Sequence, residues 1–291
     1  MIAGPGQCAV SVVVPTRNSA KTLRACLESV EQQVLRQGSV ELIVVDGGSS
    51  DATLDIAGVF ADAVLQYVPP AEKYVFTAPH QRNLGAAVAR GAFIYYVDAD
   101  MVLPEGLLAE CVDLCLIGGA GAVIIPEESF GETFWATVKR WERSCYVGND
   151  LVEAPRFVNS AVWRELGGLD STVGGGGDDW DLHIRLKAAG VRVVRAQRQV
   201  MHNEGALTLG SLARKRFMYG KEVFKFVGKH GFGTATRYYT PFSRGYGRVI
   251  FSGKMPLGFV AGLVVMRAVE YGAGLLGIGW AVVSRGHGDS S

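Results

Sequence analysis

The sequence is short of several features that would have fixed its chemistry at once. It has five cysteines in 291 residues, Cys8, Cys26, Cys111, Cys115 and Cys145, an odd number with no Cys-x-x-Cys pair. That argues against zinc or thiol redox chemistry and reads as buried thiols in a reducing compartment. No positive charge precedes the first apolar run, which is short and stopped by Pro15. A signal peptide is therefore not expected, and the cytoplasmic side is the expected location. No Gly-x-Gly-x-x-Gly turn follows that run, which counts against a dinucleotide-binding fold. There is no internal repeat and no low-complexity tract. The formal net charge is only +1.

That small net charge hides an asymmetry. Arg185 to Lys254 holds 15 Lys and Arg against two acids, Glu204 and Glu222, a net of +13, so the remainder carries −12. An acidic body with a basic rear section divides the labour: the rear favours phosphates, on a nucleotide, a nucleic acid or a lipid headgroup. With 48% hydrophobic and 20% charged residues the chain is globular rather than disordered.

The first half alternates strand and helix patterns. Ala9 to Val14 reads as a strand closed by Pro15, and Ser19 as the cap of a helix running to Gln33. Glu41 to Val45 is a second strand ending on Asp46, with Asp51 capping the next helix, and Val64 to Val68 a third strand. Pro79 suits the first turn of a helix through Arg90. A strand from Phe93 follows, then a helix opened by Pro104. Such alternation implies a doubly wound, mostly parallel α/β sheet flanked by helices. Further on, Gly121 to Ile125 reads as a strand, Phe130 to Cys145 as an amphipathic helix and Arg156 to Val162 as a strand. A helix through Ala189 opens at Asp178 after the glycine run 174–177.

Five constellations carry possible chemistry. Phe93-Ile94-Tyr95-Tyr96-Val97 leads into Asp98-Ala99-Asp100. A buried strand is hard to end on acid, because an unpaired buried carboxylate is costly. These acids are therefore expected at the open carboxyl rim of the sheet, where hard oxygen donors suit Mg²⁺ or Mn²⁺ holding a diphosphate. Pro15-Thr16-Arg17-Asn18 places backbone N–H groups and a cation where a nucleotide sits, although an ordinary strand-to-helix turn reads the same way. Asp46 ends its strand at the same rim, able to accept from a base N–H. Asp178 and Asp179, at a helix start after four glycines, suit a general base beside a mobile loop, while also being good macrodipole partners. His202, after the strand ending at Val200, is either structural or a metal ligand.

The rear third is expected as a separate region, 211–291, behind a body of 1–210. Ser211 to Lys229 reads as a basic helix capped by Ser211 and stopped by Gly231. Met255 to Val283 is apolar but for Arg267 and Glu270, which stand three apart and can pair on one helix face. Its length would allow a membrane span; the two charges and six glycines argue rather for a helical hairpin in the membrane interface or packed on a neighbour. Contact with the inner face of the membrane is expected either way.

Pro15 to Asn18, Asp46 to Asp51, Arg82-Asn83-Leu84-Gly85, Asp98 to Asp100, Gly167-Gly168-Leu169-Asp170 and Asp178-Asp179 occur in this order. The set resembles glycosyltransferase family 2 with the GT-A fold, over about Ser11 to Lys229. The resemblance implies an inverting, non-processive transfer from a nucleotide sugar, by default a uridine one, to an acceptor hydroxyl on a small molecule, glycan or lipid carrier. It implies that Pro15, Thr16, Arg17, Asp46, Arg82 and Asp98 hold the nucleotide. Asp100 and His202 would hold Mn²⁺ or Mg²⁺, and Asp179, supported by Asp178, would be the base. The pair is Asp-Asp where the family commonly has Glu-Asp, which leaves the base open between the two. The Gln-x-x-Arg-Trp motif of processive synthases is missing, and Arg214-Lys215-Arg216-Phe217 is a faint echo. A sugar-phosphate nucleotidyltransferase is the competing enzyme reading, without the glycine-rich loop those enzymes share. A binding module built on the basic, aromatic rear is the non-enzymatic one. It would have no use for acids at a sheet rim, and nucleic acid is not an expected partner.

Overall fold

The computed structural model describes residues 8–68, 77–239 and 255–286, with Tyr246, Ile250 and Gly253. Its contacts divide the chain into two compact units. The first comprises Met1–Glu127, Glu153–Ser171 and Asp181–Asn203, the second Glu128–Val152, Thr172–Trp180 and Glu204–Ser291. The second unit thus takes two segments from within the 1–210 body as well as the rear third.

In chain order the strands are β1 (Cys8–Thr16), β2 (Ser39–Asp46), β3 (Ala63–Gln66), β4 (Phe93–Tyr96), β5 (Met101–Val102), β6 (Ala122–Ile124), β7 (Glu127–Phe130), β8 (Phe157–Asn159), β9 (Val193–Arg195) and β10 (Val200–Asn203). The helices of the first unit are α1 (Ala20–Glu31), α2 (Thr53–Phe60), α3 (Ala78–Val88), α4 (Leu107–Leu116) and α6 (Ser160–Glu165). α5 (Phe134–Ser144), α8 (Leu209–His230), α9 (Phe232–Tyr239) and α10 (Leu257–Gly286) belong to the second, and α7 (Gly177–Ala188) begins in the second and continues in the first.

The first unit is built on a seven-stranded sheet ordered β3-β2-β1-β4-β8-β6-β9, parallel except for β8, which runs antiparallel to β4 and β6. β1 and β4 are apolar without alternation because both faces are covered. On one face Val12, Val14, Val44 and Tyr95 pack with Leu23 and Leu27 of α1 and Leu108 and Cys111 of α4. On the other, Val13, Ile43 and Tyr96 pack with Ala86 of α3, Trp163 of α6 and Leu182 and Leu186 of α7. β5 and β10 pair apart from this sheet, antiparallel. All five cysteines are free thiols. Burial pushes the Cys115 thiol up to about 12 and, with Glu142 adding to it, the Cys145 thiol up to about 11.

The structure redraws several local boundaries. β1 runs through Pro15, which pairs in register with Val45. Residues two apart point their amides to the same neighbour; Val13 faces β4 and receives Val97 N–H, and pairing with β4 ends there. The next rung to β4 would start from the N–H that Pro15 lacks, so the proline sits where this pairing stops. Ser19 gives no side-chain cap to α1. Asp51 takes that part: its carboxylate accepts from Ala20 N–H at 3.2 Å and from Thr53 N–H at 3.1 Å. The expected strand 156–162 stops at Asn159, whose Oδ1 accepts from Ala161 and Val162 and starts α6. Where a helix was expected from Phe130, β7 comes first, and α5 starts after Thr133, which caps Ala136 N–H.

Within the second unit α8 begins two residues before Ser211, on a capping box made by Thr208 and Ser211. The expected hairpin at the end is instead one continuous 30-residue helix, α10. Two of its glycines, Gly262 and Gly277, serve packing, as does Gly220 of α8 opposite. A Cβ on Gly277 would lie 2.1 Å from Phe217 O, one on Gly220 of α8 would lie 2.2 Å from Gly274 O, and one on Gly262 would lie 2.8 Å from Phe134 of α5. Small residues here let helix backbones meet. The two charges are buried: Arg267 bonds Glu142 of α5 at 2.7 Å and contacts Glu270, which accepts from Arg216 of α8 at 3.0 Å, while Lys139 bonds Glu142 at 2.5 Å.

Gly85 shows the same logic in the first unit, where a Cβ would lie 2.4 Å from Val13 Cγ1. Gly85→Val is expected to destabilise by about 1–3 kcal/mol through overpacking. Gly58→Ala on α2, where nothing stands within 4 Å, is expected to be neutral or to stabilise by about 0.5–1 kcal/mol. Urea midpoints at unchanged m-value measure both.

Candidate active site

The carboxyl ends of β1, β2 and β4 lie along one rim of the first unit's sheet. Thr16 and Asp46 are register partners there, and Asp98 follows β4. Open α/β sheets bind ligands at this rim. A cavity of 360 Å³, lined by Ala9, Phe93 and Asn159, sits at the opposite rim, where no candidate residue lies.

The loop after β1 is fixed before any ligand arrives. Asn18 takes a left-handed φ of 52°, a conformation asparagine tolerates. Its Oδ1 accepts from Ser50 N–H at 2.8 Å, and its own N–H donates to Ser49 Oγ at 2.8 Å. Arg17 is exposed at the tip, and Pro15 and Thr16 are buried behind it. Asp46 is buried, and four donors meet its carboxylate: Gly48 N–H at 2.9 Å, Ser49 N–H at 2.8 Å, Ser49 Oγ at 2.5 Å and Thr16 Oγ1 at 3.1 Å. Asp46 thus shapes the loop 46–49. Gln81 of α3, which sequence reading missed, ties the ends of both strands together, donating to Thr16 O at 2.9 Å and Val45 O at 2.7 Å.

Beside this loop a continuous line of charges begins. Arg82, one residue on from Gln81, donates to Asp98 Oδ1 at 2.6 Å and lies 4.9 Å from the centre of the Tyr96 ring. Arg156 donates to Asp98 Oδ2 at 3.0 Å and reaches Glu127 at 3.2 Å. Glu127 stands 3.2 Å from His202 Nδ1, and His202 Nε2 stands 3.4 Å from Asp100 Oδ2. Burial alone would raise the Asp98 carboxyl. The guanidinium charges of Arg82 and Arg156, the Arg82 hydrogen bond and His202 outweigh it and hold that carboxyl well below the usual range.

The structure therefore brings together Arg82, Asp98, Asp100 and His202, and separately Thr16 with Asp46. Asp98 is neutralised by two arginines rather than left to solvent. Asp178 and Asp179 are buried in the first turn of α7, in the segment of the second unit that follows Gly174. Negative side chains there are favoured by the helix dipole. Arg156 and Glu127 were not legible as site residues, since no motif marks them; the pairing of β8 beside β4 delivers Arg156, and the place of β7 next to β10 delivers Glu127. Asn83 was legible as part of a motif but not in its task. It donates to Leu169 O at 2.7 Å and accepts Leu169 N–H at 2.9 Å, pinning the turn in which Gly168 has φ 72°.

The donor set suits a hard divalent cation. His202 Nδ1–H can donate to Glu127, and in that tautomer a neutral ring turns its Nε2 lone pair towards Asp100. Two acceptors then face each other, and Asp100 Oδ1 is buried with no hydrogen-bond partner. Among the described residues no three His, Cys, Asp or Glu side chains cluster as a metal cage. One carboxylate and one imidazole are a partial set, of the kind completed by substrate phosphates and water around Mg²⁺ or Mn²⁺.

The family model described as glycosyl transferase family 2 matches residues 11–162. The chain belongs to this family. Among curated proteins, a PGL/p-HBAD biosynthesis glycosyltransferase of Mycobacterium tuberculosis is 38% identical to this family 2 chain over 98 residues, 33% of this chain and 36% of the relative. The match thus spans about a third of that relative's length. Glycosyltransferase AglE of Haloferax volcanii is 27% identical over 222 residues, 73% of this chain and 72% of AglE. Two solved structures share the fold. S. aureus TarS 1-349 in complex with UDP-GlcNAc gives a TM-score of 0.57 at 15% identity, over 91% of this chain and 81% of that one. Mannosyltransferase PcManGT from Pyrobaculum calidifontis in complex with GDP-Man and Mn²⁺ gives 0.58 at 17% identity, over 100% and 91%.

Because the folded-state Asp98 carboxyl is depressed, its contribution to stability is complete above the unfolded value of about 4 and is lost as pH falls towards the folded one. Asp98→Asn is expected to lower stability at pH 6 and to flatten its decline between pH 4 and 2.5. Urea midpoints at several pH values measure this, and an unchanged slope would remove the ion pairs from the account.

Proposed function

We propose that this family 2 chain moves a single sugar from a nucleotide sugar to an acceptor hydroxyl, inverting the anomeric carbon. The observation that carries the proposal is the rim at which Asp100, with an unpartnered buried oxygen, faces His202 Nε2 while Asp98 is fixed between two arginines. The neighbours in complex with UDP-GlcNAc and with GDP-Man and Mn²⁺ support a nucleotide-sugar donor and a divalent cation. Uridine is the default base.

In this reading Pro15, Thr16 and Arg17 flank the nucleotide, and Asp46 sets the loop against which the base rests. Arg82 and Asp98 act as one fixed unit beside ribose and diphosphate. Asp100 and His202 would hold Mn²⁺ or Mg²⁺, which when bound offsets charge on the departing diphosphate. Glu127 keeps the His202 ring oriented for that task. Asp179, supported by Asp178, takes the proton from the acceptor hydroxyl as it attacks in line. Holding both reactants in geometry supplies much of the rate, and no covalent enzyme intermediate is required.

The proposal includes peripheral contact with the inner face of the membrane. α10 is the one helix, among the described residues, long and apolar enough to cross a membrane, and at about 45 Å it exceeds the hydrocarbon core. Its exposed side carries Val264, Leu275, Leu276, Trp280 and Val283. Lys221 of α8 lies 3.9 Å from the centre of the Trp280 ring, a cation beside an interfacial aromatic.

Three outcomes test these statements. Asp179→Asn is expected to reduce transfer by about 10²–10⁴-fold with nucleoside diphosphate affinity within about twofold of wild type; lost nucleotide binding in a folded variant would assign Asp179 elsewhere. Asp100→Ala is expected to abolish the gain in UDP affinity that Mn²⁺ gives the wild type. Identical wild-type titrations with and without Mn²⁺ would contradict the metal site. In flotation with liposomes containing anionic lipid, the full chain is expected to rise with the vesicles and a chain ending at Lys254 to stay behind.

A further inference from the structure

We propose that the second unit carries the acceptor's binding site, and that the acceptor is an amphiphile with an anionic group next to an apolar tail. The inference deepens the transferase reading and rests on it. A cavity of 260 Å³ within this unit is walled by Trp180, Tyr219, Val223, Tyr239, Leu275 and Ile278. That is smaller than most drug-sized pockets and suits the end of a molecule rather than the whole of one. The wall is held rigidly: Trp180 packs on Tyr238 and Tyr239 with ring centroids 5.1 and 5.2 Å apart.

The polar side of the cavity is cationic. Arg216, Arg267 and Glu270 line it, and the buried cluster they form with Lys139 and Glu142 has, among the described residues, three cations for two carboxylates. Arg267 is 9% exposed, and its Nε–H has no hydrogen-bond partner. A buried donor beside one uncompensated positive charge is completed by an anion.

The apolar side leads outward. Leu275 belongs to the cavity wall and is 68% exposed, on the same stretch of α10 as exposed Leu276. Phe232, also in the wall, is 75% exposed. The cavity is therefore continuous with the apolar surface through which the chain is proposed to meet lipid, and a tail can enter without crossing water. Trp180 directly follows Asp179 in the chain, and Gly175 of the preceding glycine run also lines the cavity. A molecule bound here is held by the same segment that carries the proposed base.

The test is calorimetric titration of the full chain with n-hexyl phosphate, hexanoate, hexanol and inorganic phosphate, with a parallel titration of UDP and Mn²⁺. Hexyl phosphate or hexanoate is expected to bind at least tenfold more tightly than hexanol and inorganic phosphate. Val223→Trp, filling the cavity from α8, is expected to weaken that binding at least tenfold; Ile278→Phe fills it from α10 should the first variant fail to fold. Equal affinity for hexanol would overturn the anionic group, and equal affinity for inorganic phosphate the tail. Unchanged binding in a folded variant, or no binding by wild type, would overturn the site. If UDP binds and hexyl phosphate does not, the cavity inference fails while the transferase reading stands; the reverse result leaves the cavity and removes the transferase reading.

Discussion

The site depends on one constraint: a strand buried on both faces ends in a carboxylate. Phe93 to Tyr96 are buried, and the chain then turns through Asp98 at the rim. An ionised carboxylate there without compensation would cost several kcal/mol. Arg82 from α3 and Arg156 beside β8 supply the compensation from opposite sides of the carboxylate, one oxygen each. The pair of guanidinia fixes the side chain in direction as well as charge, because each arginine engages a separate oxygen. A loop position thereby gains the definition of a core position.

That neutralisation has a further effect along the line of charges. With Asp98 matched, Arg156 has a second hand for Glu127, and Glu127 in turn faces His202. The order alternates cation and anion from Arg82 to Glu127. At the far end His202 Nε2 meets the Asp100 carboxylate, whose Oδ1 is buried and unpartnered. An unpartnered buried acceptor oxygen at the end of this line makes Asp100 a point at which an external cation is favourable. Asp98 and Asp100 are two residues apart and have opposite situations. One carboxylate is saturated and structural in its immediate contacts; the other is open. A tripeptide motif read as two equivalent metal-binding acids would miss this division.

The parallel core was legible because its signal is local. Apolar runs with a helix pattern between them give β1, β2 and β4, and the acids that end β2 and β4 mark the rim without any knowledge of topology. Arg156 and Glu127 were not legible because their roles come from the antiparallel insertion of β8 beside β4 and from the place of β7 next to β10, long-range pairings with no sequence period of their own. Asp46 illustrates a subtler limit. Its position at the rim followed from the strand, but its four donors come from the turn that follows, so its immediate work is to hold that turn. Asp51 likewise caps, but it reaches across to α1 as well as serving α2.

α10 was misread as a hairpin for a reason that bears on the second unit as a whole. Six glycines in an apolar stretch look like weak points when the helix is considered alone, each costing up to about 1 kcal/mol relative to alanine. Packing reverses the sign at the contact positions, since Gly220 and Gly277 let α8 and α10 approach to where a side chain at either would collide with backbone. The same close approach explains how Arg267 and Glu270 are tolerated in an apolar helix: they turn inward onto Lys139, Glu142 and Arg216 instead of facing lipid. Replacing such a cluster by apolar residues often leaves stability unchanged or improved, so stability alone does not account for it. A cluster with one cation in excess among the described residues, and with a guanidinium N–H left unpartnered against a cavity, is better explained by what enters the cavity than by what holds the helices together.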